Sequence, residues 1–446
     1  MITQSSNVLS APSIAADVLS VHSPIATPEL RAAARAAVVD IARAAPSYVK
    51  RRDDGTLDPS LAGGAAGVAV FLHYAANALD DADIRTACID VLGEALAGLH
   101  SLPHAGLCGG YPGVAWAVSH LQQRGVDELD DVDLSEVDTI VETLLRRVPW
   151  PGDYDLVTGL VGLGVYGLER MHQGAGEVIV AAVVNRLAEM AEWVGDSAAW
   201  FHPPWLLPHD KRDAFPEGWY NLGVAHGIPG VLGFLARAAQ HDVRRATTMR
   251  LLAAGSLWTC SQVQSVGPGE IRLGYQVDPR APRDASGEFR DAWCYGSPGA
   301  AVALLAAARV LGDERVGACA IALARTAAHH DPVRAGVVDA SFCHGSSGLA
   351  HLYARLHALT GEPAFADAAR RWLDHTLTFK TPGEGVGGFS HITFEGGQRV
   401  SVAGSNFLEG AAGIGLVLLS MCSSEPPSWD RVVLADPSLS FHLASR

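Results

Sequence analysis

Apolar residues along this chain fall into two alternating kinds of run. In the first kind the apolar character goes nearly all the way round a helical repeat, as in VAVFLHYAANAL, VAWAVSHLQQ, LGVYGLERM, VLGFLARAAQ, AAVALLAAARVL, LAHLYARLHAL and IGLVLLSM. Between these lie segments such as ADIRTACIDVLGEALAGL and PAFADAARRWLDHTL, where apolar residues recur at three- and four-residue spacing and the rest is polar. A helix apolar all round must be enclosed, whereas a one-sided helix covers others and faces water. The alternation therefore predicts helix pairs, each with one inner and one outer member.

A pair of glycines separated by two residues precedes every all-apolar run: Gly64/Gly67, Gly110/Gly113, Gly159/Gly162, Gly227/Gly230, Gly296/Gly299, Gly345/Gly348 and Gly410/Gly413. Seven copies in register predict seven repeats, and a double ring buries the inner helices of all seven at once. The expected fold class is all-α, an α/α toroid or double-ring barrel. Pro112, Pro229 and Pro298 lie between the glycines of three pairs, where a first helical turn tolerates proline. The glycines thus mark helix starts, and without a Cβ they let seven N-termini crowd toward one face, giving it a positive potential.

The first glycines are separated by 46, 49, 68, 69, 49 and 65 residues, so three intervals are long by about twenty. The excess lies in AWFHPPWLLPHDKRDAFPEGWYNLGVA, QSVGPGEIRLGYQVDPRAPRDASGEFRDAW and FKTPGEGVGGFSHITFEGGQRVSVAGSNF, rich in Pro, Gly and aromatics. Each runs into an inner-helix start, so these long non-helical loops are expected on the glycine face, where they serve binding. Their histidines, including His202, His209 and His391, are expected to be exposed or to meet a peptide. Residues 1–50 read as an N-terminal lead-in and first outer helix, and residues 51–446 as one seven-repeat toroid.

Composition narrows the partners. At 446 residues and 48% hydrophobic, the chain can bury a large core, while a formal charge of −15 disfavours nucleic acid and anionic membrane. Leu61 to Leu79 is free of formal charge, but its Gly, His and Asn content and its recurrence mark a buried soluble helix, not a membrane span. The opening MITQSSNVLSAPSIAADVLS has no secretory pattern, so a cytoplasmic location is expected.

Seven scattered cysteines disfavour a disulfide framework in such a compartment. Cys88, Cys260, Cys319 and Cys422 fall within helical patterns and read as core; Cys108, beside a glycine pair, is a weak candidate for chemistry. Cys294 in WCYGSPG and Cys343-His344 in CHGSSG occupy equivalent places in neighbouring repeats, although 49 residues separate the cysteines. A toroid brings them together. Two cysteines and a histidine with one open position form a catalytic zinc arrangement, so one Zn2+ per chain on Cys294, Cys343 and His344 is expected. Trp293, just before a ligand, reads as packing.

WCYGSPG, CHGSSG, AHGIPG and the D-x-x-x-G-x-x-G segment at Asp155 together resemble the lanthionine synthetase C-like family, over roughly Leu61 to Met421. The resemblance implies an α/α toroid with one zinc that forms thioether rings in dehydrated ribosomal peptides. It implies zinc on Cys294, Cys343 and His344, and active-site roles for Asp155, His226, Arg290 and Tyr295. The expected reaction is conjugate addition of a peptide cysteine thiol to dehydroalanine or dehydrobutyrine. That chemistry needs an activated thiolate, a donor for the developing enolate and a proton for the α-carbon. His226 suits the proton transfer. Asp155 would accept the thiol proton or orient His226; Arg290 would hold the enolate or anchor Asp155; Tyr295 would donate a hydrogen bond. A leader-bearing precursor peptide and a separate dehydratase are the implied partners. Two other readings compete: a zinc-stabilised scaffold, or a relative adding a small thiol such as glutathione, and a prenyltransferase-like enzyme, against which the ligand set and the lack of a basic cluster in the long loops count.

Overall fold

The computed structural model describes residues 25–280, 290–423 and 426–436. The polar opening of the chain and part of the second long loop lie outside them. Fourteen α-helices are described: α1 (Pro28–Ala44), α2 (Ala65–Leu79), α3 (Ala82–Ala97), α4 (Tyr111–Gln122), α5 (Ser135–Leu145), α6 (Leu160–Glu169), α7 (Ala175–Met190), α8 (Ile228–Gln240), α9 (Arg245–Ser261), α10 (Ser297–Leu311), α11 (Glu314–Ala328), α12 (Ser346–Thr360), α13 (Pro363–Thr378) and α14 (Ala411–Cys422).

The first glycine of every pair is the N-cap of an inner helix: Gly64, Gly110, Gly159, Gly227, Gly296, Gly345 and Gly410 precede α2, α4, α6, α8, α10, α12 and α14. Each inner helix packs against the next, and α14 packs against α2, which closes the ring. The outer helices α3, α5, α7, α9, α11 and α13 each follow and cover their inner partner. The outer partner of α14 is α1, so the two ends of the fold meet in one helix pair. The pattern is the α/α toroid expected from the sequence, and its core runs continuously through both rings.

The second glycines have a more local reason than crowding helix starts alone. A methyl group on Gly113, Gly162, Gly348 or Gly413 would overlap the carbonyl oxygen of Leu107, Leu156, Phe342 or Phe407, because each loop folds back over the first turn of its own helix. Those four carbonyls belong to a set of seven equivalent apolar residues, Leu61, Leu107, Leu156, Val224, Trp293, Phe342 and Phe407, all buried, which form an apolar floor beneath the glycine face. Trp293 is thereby packing, as its position suggested. From the opposite end a C-terminal 3-10 turn, Ser428–Val433, enters the bore. There Trp429 lies edge-on to Phe342 and Phe407, with ring centroids 5.6 and 5.8 Å away, and Trp293 Nε1 donates to the Val433 carbonyl at 2.9 Å.

The three long loops carry short antiparallel strands that helical periodicity does not foresee: β1 (Ala191–Val194), β2 (Ser197–Trp200), β3 (Tyr220–Asn221), β4 (Gln264–Gly267), β5 (Glu270–Arg272), β6 (Gln276–Val277), β7 (His391–Glu395) and β8 (Gln398–Val402). β1–β2, β4–β5 and β7–β8 are hairpins, and β3 pairs with β6, joining the first long loop to the second. Gly396 and Gly397, both at positive φ, make the tight turn of the last hairpin. Among the described residues no helix is long and apolar enough to cross a membrane.

Candidate functional site

Each inner helix is entered through a ten-residue loop that ends on the second glycine. Aligned on it, the loops read DPSLAGGAAG, HAGLCGGYPG, DYDLVTGLVG, NLGVAHGIPG, RDAWCYGSPG, DASFCHGSSG and GSNFLEGAAG, beginning at Asp58, His104, Asp153, Asn221, Arg290, Asp339 and Gly404. Four begin with an Asx turn: Asp58, Asp153, Asn221 and Asp339 each accept, through Oδ1, the backbone N–H two residues on, at 2.9, 3.1, 2.9 and 3.0 Å. This fixes how the loop leaves the surface and dives to the floor.

The fifth positions, Ala62, Cys108, Val157, Ala225, Cys294, Cys343 and Leu408, form a tier linked by main-chain hydrogen bonds from loop to loop. The N–H of Ala62 donates to Cys108, Cys108 to Val157, Ala225 to Cys294, Cys294 to Cys343 and Cys343 to Leu408, with Leu156 bonding Ala225 and Phe407 bonding Ala62 to complete the circuit. The sixth positions, including His226, Tyr295, His344 and Glu409, stand one residue above it. Residues far apart in sequence are thus neighbours by construction.

Within this frame Cys294, Cys343 and His344 present donor atoms that all lie within 4.8 Å of one another. The Cys343 thiol donates to the Cys294 sulfur. That bond, opposed by burial and aided by His344 and Arg290, holds the Cys294 thiol well below the ordinary cysteine range. The same bond and burial push Cys343 up. Burial opposes a charged His344, but its hydrogen bond to Cys294 and the charge there raise it. Two sulfurs sharing a proton beside an imidazole form a donor set in which a borderline-soft divalent ion can displace that proton, so these residues fit a metal.

Beside this cluster His226 Nδ1 and Asp155 Oδ2 are 2.5 Å apart, with the carboxylate buried and the imidazole 42% exposed. Asp155 Oδ1 accepts from the Thr158 N–H at 2.7 Å and its hydroxyl at 3.1 Å, so both carboxylate oxygens are engaged. Burial disfavours the imidazolium, but the Asp155 hydrogen bond and charge outweigh it and raise the His226 pKa. The ring of Tyr295 lies 6.4 Å from that of His226 at 29°. Its phenol is pushed up to about 12 by burial, against a hydrogen bond from Asn221. Arg290 is half-buried, and its charge reaches Cys294 and His344. All seven residues singled out from sequence therefore lie in the loops of the glycine face, with His226 against both Asp155 and Tyr295, and Arg290 close enough for its charge to act on Cys294 and His344.

Other residues behave differently from expectation. His202 and His391 are buried rather than exposed, and His202 Nε2 bonds Asp153 Oδ1 at 2.9 Å, tying the first long loop to the Asp155 loop; His209 is exposed. Cys108 shares the tier but not the donor cluster, and burial pushes its thiol up to about 12. Cys260 and Cys319 are half-buried on α9 and α11, with their thiols hydrogen-bonded together. Asn221, which holds Tyr295, escaped the sequence reading; the aligned ten-residue loops carry the signal that finds it.

Residues 55–434 match the family described as lanthionine synthetase C-like protein. The chain is 24% identical over 326 residues to the nisin biosynthesis protein NisC of Lactococcus lactis subsp. lactis, covering 70% of this chain and 72% of that protein. In three dimensions it is similar to nisin cyclase, with a TM-score of 0.70 at 19% identity over 86% of this chain and 93% of the other, a likeness of fold.

Proposed function

This chain belongs to the lanthionine synthetase C-like family, and we propose that it is a lanthipeptide cyclase that uses one zinc ion on Cys294, Cys343 and His344 to close thioether rings in a dehydrated peptide. The observation that carries this reading is the convergence of three soft or borderline donors beside the Asp155–His226 pair on one tier of loops. The reaction belongs in a reducing cytoplasm, where substrate cysteines stay free. Its substrate is a leader-bearing ribosomal peptide dehydrated beforehand by a separate enzyme.

Bound there, zinc would supply a Lewis acid that keeps a substrate thiol deprotonated near neutral pH while leaving it nucleophilic. The thiolate sulfur adds to the β-carbon of dehydroalanine or dehydrobutyrine, the C–S bond forms, and the π electrons move to the α-carbon and carbonyl as an enolate. Asp155 holds the Nδ1 side of His226, which leaves Nε2 to deliver a proton to the α-carbon. Both Asp155 oxygens already accept hydrogen bonds, which suits this carboxylate to orienting and charging His226. The thiol proton passes to solvent, and solvent returns a proton to His226 after it has protonated the α-carbon, so the step balances. Arg290 and Tyr295 supply positive charge and a hydrogen-bond donor for the enolate oxygen. The product has the mass of the substrate.

The test is mass spectrometry of a dehydrated, cysteine-containing, leader-bearing peptide after incubation with the protein, counting alkylatable thiols with and without a zinc chelator. Loss of thiols without added mass, abolished by the chelator, is the expected result. Unchanged thiols with zinc bound would overturn it, and mass gain when glutathione is supplied would favour addition of a small thiol.

A further inference from the structure

Asn221 opens the fourth of the ten-residue loops and is buried. Its Oδ1 accepts from the Gly223 N–H at 2.9 Å, and because a backbone N–H only donates, the amide's orientation is settled: oxygen on the turn, nitrogen on the other side. That nitrogen lies 2.9 Å from the Tyr295 hydroxyl oxygen, so the phenol accepts this bond and its own hydrogen is turned elsewhere. Gly223 lets the backbone pass under the Tyr295 ring, since a Cβ there would press on the ring and on the Cys294 carbonyl. The three sister loops that make the same turn use Asp58, Asp153 and Asp339. Aspartate serves the turn equally well, but an ionised carboxylate only accepts; only the amide can also donate to a phenol.

We propose that Asn221 is a positioning residue for the cyclisation: by donating to Tyr295 it directs the phenolic O–H into the ring centre, where it donates to the carbonyl oxygen of the dehydroamino acid as the enolate forms. The idea rests on the cyclase reading above. It also explains why the fourth loop, directly before the one carrying Tyr295, departs from aspartate.

The decisive variant is Asn221→Asp, which keeps shape and turn but offers the phenol an acceptor, so the O–H swings away from substrate. Expected on a dehydrated peptide is a fall in kcat of about 10²-fold, matching Tyr295→Phe, with KM and zinc content little changed. Asn221→Ala, which leaves the phenol loose but free to donate, should lose less. In a Tyr295→Phe background, Asn221→Asp should cost nothing further. Independently of turnover, the tyrosine Fermi doublet in the Raman difference between the wild type and Tyr295→Phe should have the intensity pattern of an accepting phenol, and that between Asn221→Asp and the double variant the pattern of a donating one. A wild-type-like Asn221→Asp with a crippled Asn221→Ala, losses that multiply in the double variant, or an unchanged doublet would each overturn the proposal. If the wild type closes no rings at all, it is the cyclase reading that fails, while the doublet still reports the Asn221–Tyr295 geometry.

Discussion

Cys294 donates its backbone N–H to the backbone carbonyl of Cys343 at 3.2 Å, so the two sulfurs are brought together by main chain before any side-chain contact is counted. The place of each sulfur is thereby fixed by the loop backbone, and the two cysteines should not be interchangeable with other cysteines of the chain. Cys343→Ala should reduce bound zinc well below one ion per chain, as read by metal analysis after dialysis against a weak chelator. Cys260→Ala should leave zinc unchanged, because Cys260 lies on the outer helix α9 with Cys319 as its neighbour. Full occupancy in Cys343→Ala would remove that residue from the ligand set.

His226 and Asp155 make a prediction about pH. Burial works against the imidazolium, the Asp155 bond and charge work for it, and the sum raises the pKa, so the acid form of His226 survives to higher pH than an ordinary histidine. The sign for stability follows: this interaction contributes fully below the unfolded histidine pKa of about 6.5 and is lost as pH rises through the higher folded value. In Asp155→Asn the largest influences raising the His226 pKa are lost while burial still opposes the imidazolium, with only the charges of Asp153 and Cys294 left to favour it, so the alkaline limb of the cyclisation rate should move to lower pH. His226→Asn should retain zinc and fold yet fail to close rings. An alkaline limb that stays in place in Asp155→Asn would separate His226 from the proton transfer.

How much of this was legible in the sequence depends on whether the signal was periodic. The seven glycine pairs carry the ring and the start of every inner helix, because a close approach of backbone to helix excludes any side chain at the second glycine wherever the loop recurs. Cys294, Cys343 and His344 were legible for the same reason: equal places in adjacent repeats are neighbours in space. What lacked a repeat was not legible. His202 looked like an exposed loop histidine, yet its partner Asp153 is 49 residues away and draws it inside. The pairing of α1 with α14 and the entry of Trp429 into the bore involve the ends of the fold and leave no periodic trace. The hairpins show only as short alternations such as HITFE before Gly396-Gly397, easily lost beside the helical periodicity.

The glycine argument can be tested where no chemistry is carried. In Gly113→Ala the new methyl meets the Leu107 carbonyl oxygen and the Leu61 side chain, both parts of the floor, and the loop must shift. Overpacking of this kind costs about 1–3 kcal/mol, read as a lower midpoint in chemical denaturation. Gly93 in the outer helix α3 is the control, since a Cβ there meets nothing within 4 Å. Gly93→Ala should stabilise by roughly 0.5–1 kcal/mol through helix propensity. Equal effects of the two substitutions would mean that the loops do not constrain the second glycines.

The C-terminal turn makes the last prediction. Asp430, fully buried, accepts from Arg355 Nε at 2.7 Å, and its other bond is to His351 Nε2 at 2.8 Å, so one carboxylate anchors the turn to inner helix α12. The next residue inward, Trp429, supports Phe342 and Phe407, and Phe342 is the floor residue directly before Cys343. Asp430→Ala leaves the Arg355 charge buried without its carboxylate, a change that costs about 3–5 kcal/mol and should lower the thermal midpoint. If the turn also holds the floor under the metal cluster, zinc should leave more readily to a competing chelator at temperatures where the variant is still folded. Replacing Arg355 by methionine together with Asp430→Ala removes the stranded charge, so stability should largely return. Recovery of the thermal midpoint without recovery of zinc retention would assign the turn to holding the cluster. Recovery of both would make its effect on the metal a consequence of stability alone.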